Sequence, residues 1–347
     1  MTKKIAVVLF NLGGPDQLSA VRPFLFNLFN DPAIIGLPSP LRQFVAWMIS
    51  SRRDKTAQEI YGKIGGRSPI LENTQKQAEA LQKNLQDCGE VRTFVAMRYW
   101  HPMKEQAVLN VMAFQPDEIV LLPLYPQFST TTTASSLKKW HETARKFGLN
   151  VPTKILCCYP QHDGFIQSLT TSTRAAYDKI AGQGARPRVL FSAHGLPEKI
   201  VKAGDPYQWQ CEQTVEALVK ALAIPDLDYS ICYQSRVGPL KWIGPSTDNE
   251  IRRAGQNRVP LIVVPIAFVS EHSETLVEID MEYRHLAHEV GVPSYTYVPT
   301  VSVTPDFIAG LGDLVRQVLQ SDKSQQSEKG TRLCPPNFPG CCQSTRS

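Results

Sequence analysis

The fold is decided by an apolar run that ends in a histidine and a Gly/Pro turn, Val189-Leu190-Phe191-Ser192-Ala193-His194-Gly195-Leu196-Pro197. A similar stretch stands near the N-terminus, Val8-Leu9-Phe10-Asn11-Leu12-Gly13-Gly14-Pro15. Each is typical of a strand that is covered on both faces and followed by a tight turn. Ligands of open α/β sheets bind beyond the carboxyl ends of the strands, so both turns are candidate site edges. The weak repeat favours two related halves.

Working outward, short apolar runs alternate with helix-length segments along the chain. The predicted strands are residues 5–10, 91–97, 118–123, 152–157, 188–193, 229–232, 259–266 and 294–298. The predicted helices are residues 18–29, 73–87, 103–114, 134–147, 164–181, 206–223, 275–290 and 305–320. This alternation is typical of parallel sheets with crossover helices. We expect an α/β fold with two Rossmann-like domains, each a four-stranded parallel sheet flanked by helices, with a cleft between them.

The length of 347 residues is compatible with two domains. We expect an N-terminal domain over residues 1–150 and a C-terminal domain over residues 151–304. The last helix, residues 305–320, is expected to pack back on the first domain. Residues 321–347 are expected to form a polar linker and a cysteine-rich tail.

The charge balance and the lengths of the apolar runs exclude several classes of function. The formal net charge is +5, from 37 basic and 32 acidic residues, and it is spread along the chain without a block of the nucleic-acid-binding type. No apolar run reaches the roughly 18 residues of a membrane span. The N-terminus has no signal-peptide pattern, so we expect a cytoplasmic protein with reduced thiols.

The richest chemistry lies in residues 265–283, where an apolar strand becomes a helix that carries Glu274, Glu278 and Glu282. At i, i+4 and i+8 the three carboxylates share one helix face. His272 stands just before them. Histidine with carboxylates is both a ligand set for iron or zinc and an acid–base set. The plain alternative is a solvated acidic face.

His194 is the second candidate, because a histidine at the end of a buried strand faces any cleft that the strand faces. Its ordinary pKa near 6.5 suits proton uptake at neutral pH. The alternative is a core histidine bonded to backbone. Loops 98–102 and 232–245 carry aromatic residues that could wall a flat apolar ligand, or could simply pack.

Residues 23–49 combine many large apolar side chains with Pro32, Pro38 and Pro40, which are expected to break the segment into short pieces. The segment is either core or an apolar lip that admits a greasy substrate or touches a membrane.

Three of the eight cysteines, Cys334, Cys341 and Cys342, fall in the last fourteen residues. Three thiolates need a fourth partner to complete a four-cysteine site. Spacing by itself does not separate zinc from a 2Fe–2S cluster.

In this order, the motifs resemble those of the ferrochelatase family over roughly residues 4–320. The segments that carry the resemblance are Asn11-Leu12-Gly13-Gly14-Pro15, Arg98-Tyr99-Trp100-His101-Pro102, Ser192-Ala193-His194-Gly195-Leu196-Pro197-Glu198-Lys199, Gly204-Asp205-Pro206-Tyr207, Tyr233-Gln234-Ser235-Arg236-Val237-Gly238-Pro239 and Glu271-His272-Ser273-Glu274-Thr275-Leu276.

The resemblance implies insertion of Fe²⁺, a substrate, into protoporphyrin IX, which forms protohaem in the last step of haem synthesis and releases two protons. His194 and Glu274 match the catalytic pair and the Fe²⁺ ligands. We expect them to come from opposite halves of the fold, and which of them moves protons and which delivers metal stays open. The acidic helix has π-type widening in this family. The remaining implied residues are His272, Glu278 and Glu282 on a proton or metal path, and Leu12, Arg98, Tyr99 and Trp242 against the porphyrin.

The tail resembles bacterial relatives that carry a 2Fe–2S cluster. This resemblance implies Cys158, Cys334, Cys341 and Cys342 as ligands, with Cys157 in reserve. Rival interpretations are a chelatase for coproporphyrin or another metal, and a non-catalytic tetrapyrrole or haem carrier. The sequence leaves the oligomeric state open.

Overall fold

A computed structural model describes residues 2–236 and 240–343. Val237, Gly238 and Pro239 of the sequence motif at residues 233–239 therefore lie outside the described residues. The chain divides into two compact units. Of the described residues, the first unit comprises 2–125, 129–157 and 312–326, and the second comprises 126–128, 158–236, 240–311 and 327–343.

The described residues form nine strands. In chain order they are β1 Lys4–Asn11, β2 Glu90–Met97, β3 Glu118–Pro123, β4 Thr153–Leu156, β5 Arg188–His194, β6 Tyr229–Gln234, β7 Leu261–Pro265, β8 Tyr295–Tyr297 and β9 Gln325–Gln326. The first unit holds a parallel sheet of order β2-β1-β3-β4-β9, and the second holds one of order β6-β5-β7-β8. The predicted α/β architecture with parallel sheets is confirmed.

The prediction of four strands in each sheet is wrong for the first sheet, which has five. The extra strand, β9, lies in the segment that we expected to be a polar linker. Its Gln325 pairs with Ile155 on β4, and Gln326 and Ser327 are buried. Polar composition concealed this strand because an edge strand is held by backbone hydrogen bonds, which need no apolar side chains.

Eleven α-helices surround these sheets within the described residues. They are α1 Val21–Phe29, α2 Ser39–Gly62, α3 Ile70–Asn84, α4 Lys104–Phe114, α5 Thr133–Phe147, α6 Asp163–Ala181, α7 Glu198–Lys202, α8 Tyr207–Leu222, α9 Thr247–Asn257, α10 Tyr283–Glu289 and α11 Pro305–Gln320. The sequence analysis did not predict α2, α7 or α9. From Gly312 onward α11 belongs to the first unit, where Arg316 binds Asn84 and Asp87.

The predicted break in residues 23–49 is confirmed between α1 and α2, but the expectation of several short pieces is wrong, because Pro38 and Pro40 open the 24-residue helix α2. Proline fits the first helical turn, where its missing N–H would have no partner in any case. The helix leaves large apolar side chains in solvent near its start, with Phe44 59% and Trp47 53% exposed. No helix in the described part of the chain is long and apolar enough to span a membrane.

The second sheet brings the ends of three strands together. β5 pairs with β6 on one side and with β7 on the other, in registers that align His194 with Gln234 and Ser192 with Pro265. Beyond β7 the chain enters a π-helix, Glu274–Glu282, in which the Tyr283 N–H bonds to the Glu278 carbonyl five residues back. The π-type widening that the resemblance implied is confirmed. Such widened turns are rare and often mark functional sites.

Candidate active site

A carboxylate lies between two imidazoles at the carboxyl edge of the second sheet. The Glu274 Oε2 atom is 3.6 Å from Nε2 of His194 and 3.7 Å from Nε2 of His272. His194 ends β5, and the other two residues follow β7. The expectation that His194 and Glu274 come from opposite halves is wrong, because neighbouring strands of one parallel sheet end at the same edge.

The hydrogen bonds of the two rings settle which nitrogen carries hydrogen when each ring is neutral. Nδ1 of His194 lies 2.6 Å from the Gly195 carbonyl, and Nδ1 of His272 lies 3.2 Å from the Ser270 carbonyl. A carbonyl only accepts, so Nδ1–H donates in both rings and Nε2 keeps its lone pair. Two lone pairs and a carboxylate oxygen therefore approach one another with no hydrogen between them. A proton or a metal cation that binds between these atoms removes the repulsion among their electron pairs.

The electrostatics of Glu274 agree with this geometry. Its Oε2 atom is buried and has no hydrogen-bond partner. Burial raises the pKa of Glu274, but the positive charges that His194 and His272 carry when protonated outweigh burial and lower the pKa to about 2. The carboxylate is therefore ionised at neutral pH and attracts cations to this point.

Aromatic residues support the two imidazoles from behind. The Phe268 ring centroid lies 4.6 Å from that of His272 and 6.5 Å from that of His194. The buried Tyr207 donates its hydroxyl hydrogen to the His194 carbonyl at 3.1 Å. The sequence analysis named neither role, since Phe268 is simply part of an apolar run and Tyr207 is far away in sequence.

Glu278, one π-helical turn beyond Glu274, has a different environment. It accepts hydrogen bonds from the Ser235 N–H at 2.9 Å, from the Ser235 hydroxyl, and from the Tyr283 hydroxyl at 3.1 Å. Burial, followed by the negative charge of Glu274, raises its pKa. Glu278 thus keeps a proton to higher pH than an ordinary glutamate does, beside a neighbour that readily loses one.

Glu278 also lines a cavity of about 640 Å³. Trp242, one of the expected porphyrin contacts, lines the same cavity, together with Asp248 and Tyr283. Glu282 is exposed at the end of the π-helix. The predicted acidic face is therefore graded, from the buried Glu274 oxygen to the exposed Glu282.

Glu271 takes no part in this group, because other bonds occupy its carboxylate. It accepts hydrogen bonds from the Thr300 N–H at 2.8 Å and from the Tyr297 and Thr275 hydroxyl groups. It therefore fastens the entry of the π-helix to the chain beyond β8.

The first unit places Arg98 and Tyr99, two further expected porphyrin contacts, in a closed network. The Arg98 guanidinium lies 2.5 Å from the carboxylate of Asp31, and these side chains are only 11% and 2% exposed. The Tyr99 hydroxyl and the Ser135 hydroxyl donate to the same Asp31 oxygen at 2.8 and 3.0 Å. Leu12 packs against this region, half-buried. The sequence analysis missed Asp31, which lies 67 residues from Arg98.

The expected cluster ligands divide into two kinds. Cys158, Cys334 and Cys341 are buried and take no part in a disulfide, whereas Cys342 and the reserve residue Cys157 are disulfide-bonded. The Cys334 thiol donates to the Cys341 sulfur, which lowers the pKa of Cys341. The Gln210 amide nitrogen lies 3.2 Å from the sulfur of Cys334 and 3.6 Å from that of Cys158.

Among residues 2–236 and 240–343, no three His, Cys, Asp or Glu side chains are already arranged to hold a metal ion.

Solved structures share the architecture at low sequence identity. SirB from Bacillus subtilis with Fe³⁺ aligns with a TM-score of 0.53 at 12% identity, over 92% of this chain and 96% of that one. The sirohydrochlorin chelatase SirB from Bacillus subtilis subspecies spizizenii in complex with cobalt gives 0.52 at 11%, over 91% and 95%. At such identity the likeness concerns the fold. The chain therefore shares the fold of these chelatases, and a site that attracts cations lies at one of its sheet edges.

Sequence comparison narrows the class. The family model of ferrochelatase matches residues 4–319. Ferrochelatase of Caulobacter vibrioides is 54% identical over 91% of this chain and 90% of its own length, and that of Rickettsia bellii is 48% identical over 98% and 95%. The chain belongs to the ferrochelatase family, and it is an enzyme of haem synthesis that inserts iron into a porphyrin.

Proposed function

We propose that the enzyme inserts Fe²⁺ into protoporphyrin IX and that His194 and Glu274 meet the reacting centre. The observation that carries this proposal is the unpartnered Glu274 oxygen, with a lone-pair-bearing nitrogen of His194 3.6 Å away and one of His272 3.7 Å away. Three acceptors at one point can receive the two protons that a porphyrin releases, or can replace water around a ferrous ion.

Metal insertion requires both the uptake of protons and the replacement of water around the ferrous ion. A free-base porphyrin is flat and carries two N–H protons in its central hole. Metal entry requires the ring to bend so that nitrogen lone pairs tilt toward one face, and contacts with the ring periphery offset that strain. Fe²⁺ sheds water in steps as carboxylate and imidazole ligands replace it. His272, Glu278 and Glu282 form the path along which protons or metal travel.

The direct test replaces His194 by Ala and Glu274 by Gln and follows Fe²⁺ or Zn²⁺ insertion by porphyrin fluorescence. Loss of an acid–base group is expected to lower kcat by about 10²–10⁴-fold. His288→Ala, on the exposed face of α10, is the matched control and should retain activity. Near-normal turnover in both site variants rejects the assignment. Running each assay with protoporphyrin and with coproporphyrin identifies the preferred porphyrin.

We propose the porphyrin contacts Leu12, Arg98, Tyr99 and Trp242 with roles that follow from their surroundings. Arg98 is held rigidly by Asp31, so it can present a fixed charge to a carboxylate of the substrate. Tyr99 is buried, with its hydroxyl bonded to Asp31, so it supports Arg98. Half-buried Leu12 and Trp242 offer apolar surface to the ring.

We further propose that the thiol group holds a 2Fe–2S cluster. The donor set fits, since Cys158, Cys334 and Cys341 gather at one amide and Cys342 adjoins Cys341. Cys342 becomes a ligand on reduction of its disulfide. The cluster would transfer single electrons, stabilise the fold or act as a sensor. Visible absorption and EPR spectra of anaerobically purified protein test this, and a colourless protein with one tightly bound zinc refutes it.

Finally, we propose that the enzyme works in the cytoplasm and touches the inner membrane face through residues 23–49. The exposed side chains of Leu41, Phe44 and Trp47 favour this contact. In a flotation assay, we expect the wild-type enzyme to float with phospholipid vesicles. The double variant Phe44→Ser/Trp47→Ser should remain in the vesicle-free fraction. Equal flotation of both proteins would reject the contact.

A further inference from the structure

We propose that Gln210 is a positioning residue of the thiol centre, which it organises through its amide N–H groups, and that it sets the reduction potential of the cluster bound there. This inference rests on the proposed cluster site and names a residue that determines its chemistry.

The orientation of the Gln210 amide is fixed from its other end. Gln210 lies on α8 and is completely buried. Its Oε1 atom accepts the Phe128 N–H at 2.7 Å, so Nε2 is the side that faces the sulfurs. From there Nε2 reaches Cys334 at 3.2 Å and Cys158 at 3.6 Å. One NH₂ group therefore serves two thiols that are 124 and 52 residues distant in sequence.

The chain that enters α8 and the first turn of α8 also contact the tail. The Trp209 and Phe338 rings lie 5.9 Å apart, and the Gly340 N–H bonds to the Gly204 carbonyl at 3.1 Å. A Cβ at Gly204 would lie 2.5 Å from Pro339, so the tail and the chain entering α8 are in close contact. Because these segments are fastened together, the amide meets the sulfurs at a defined distance.

The direction of the effect follows from electrostatics. Each electron that enters an iron–sulfur cluster adds negative charge, much of it on sulfur. An N–H dipole aimed at a sulfur stabilises the reduced state more than the oxidised state, and it does so strongly where water is excluded. The Gln210 amide therefore raises the reduction potential, and its removal lowers it.

The test compares Gln210→Glu and Gln210→Leu with the wild-type protein, each carrying its cluster. The glutamate variant keeps an acceptor for the Phe128 N–H, and the leucine variant removes both polar atoms. Gln208→Leu is the matched control, because Gln208 lies on the same helix and bonds to Glu212 at 3.1 Å. Dithionite supplies one electron per cluster in an anaerobic titration that is followed by visible absorption and EPR.

Both Gln210 variants are expected to lower the one-electron reduction constant at least tenfold, which corresponds to 59 mV. The control should match the wild-type protein. Circular dichroism shows whether each variant is folded. If Gln210→Leu is not folded, the reduction potentials of Gln210→Glu and Gln210→Met are compared with that of the wild-type protein instead. Unchanged potentials in folded variants overturn the role of Gln210 and leave the cluster proposal standing.

The affinity for cobalt(II) provides a second, independent test. If the purified thiol centre takes up Co²⁺ in place of a cluster, the Gln210 variants should bind it at least tenfold more weakly, as read from the thiolate-to-cobalt absorption band. Equal affinity overturns the role of Gln210. A wild-type protein that takes up neither cluster nor cobalt overturns both proposals.

Discussion

The two sheets end in turns of similar sequence, yet the polar groups beyond them are of opposite kinds. In the first unit the Asp31 carboxylate is met by Arg98 and by the Tyr99 and Ser135 hydroxyl groups, so the acceptor faces donors on all sides. In the second unit the Glu274 oxygen is met by two nitrogens that bear lone pairs.

This difference shows how the same architecture divides its tasks. A closed network of donors and acceptors holds its members in place and is stable without further partners. A group made only of acceptors is incomplete until a proton or cation arrives. A group that awaits a proton or cation therefore lies in the second unit, and a closed, buried charge network lies in the first.

The largest expected effect comes from opening the closed network. Replacing Asp31 by Ala leaves the Arg98 guanidinium buried without its carboxylate, which is expected to lower the free energy of unfolding by about 3–5 kcal/mol. Urea denaturation measures the change. Asp280→Ala removes an exposed ion pair with Arg284 and should cost less than about 1 kcal/mol. Equal losses would mean that the Asp31 network is no stronger than a surface pair.

A change in the open group should act on catalysis instead. Replacing His272 by Ala removes one of the two nitrogens beside Glu274, and we expect kcat to fall about 10²-fold. The KM for porphyrin should stay the same, because His272 is buried and its Nε2 atom lies beside Glu274. Steady-state metal insertion separates the two constants. A changed KM with normal kcat would place His272 in substrate binding.

The two glutamates of the open site should respond oppositely to pH. The pKa of Glu278 is raised above 4.5, so its ionisation destabilises the fold as pH rises through its folded pKa. Glu278→Gln should therefore raise Tm at pH 8 by on the order of 2–4 °C, the effect of about 1 kcal/mol, and change it little at pH 4.

The ionisation of Glu274 affects stability in the opposite direction. Its lowered pKa contributes stability that is present above 4.5 and is lost as pH falls toward about 2. Glu274→Gln should therefore lower Tm near pH 5, where Glu274 is ionised and protons are available to the two imidazoles beside it. Thermal unfolding followed by circular dichroism checks both variants, and shifts of the same sign would contradict the assigned pKa directions.

The smallest expected effect concerns the backbone that presents Ser235 to Glu278. Ser235 has φ of +60°, a left-handed conformation that favours glycine. Ser235→Ala and Ser235→Gly both remove the hydroxyl bond, but glycine also removes the backbone strain. The glycine variant should thus be about 1 kcal/mol more stable than the alanine variant in urea. Equal stabilities would assign the whole effect to the hydroxyl group.

Much of this protein could be predicted from local pattern. Apolar runs of strand length predicted eight of the nine strands among the described residues, and residue spacing predicted that Glu274, Glu278 and Glu282 share one helix face. The missed elements have local explanations. β9 is too polar for its pattern to show, and Pro38 and Pro40, which were expected to divide residues 23–49 further, instead begin α2.

The partners of the site residues could not be predicted in the same way. Asp31 for Arg98, Tyr207 for His194 and Gln210 for the thiols join segments that the fold brings together across 67, 13 and 124 residues. A sequence pattern reports the residue types of a segment and their spacing. It does not report which distant atom faces them.

The sequence by itself determined the parallel α/β architecture, the family and the residue types at the reactive edge, because periodicity and motif order are properties of the chain. Only the tertiary structure decided that His194 and Glu274 belong to one unit. It also decided that the pKa values of Glu278 and Glu274 shift in opposite directions. The physical reason is that hydrogen-bond direction, burial and charge depend on distances between atoms that are far apart along the chain.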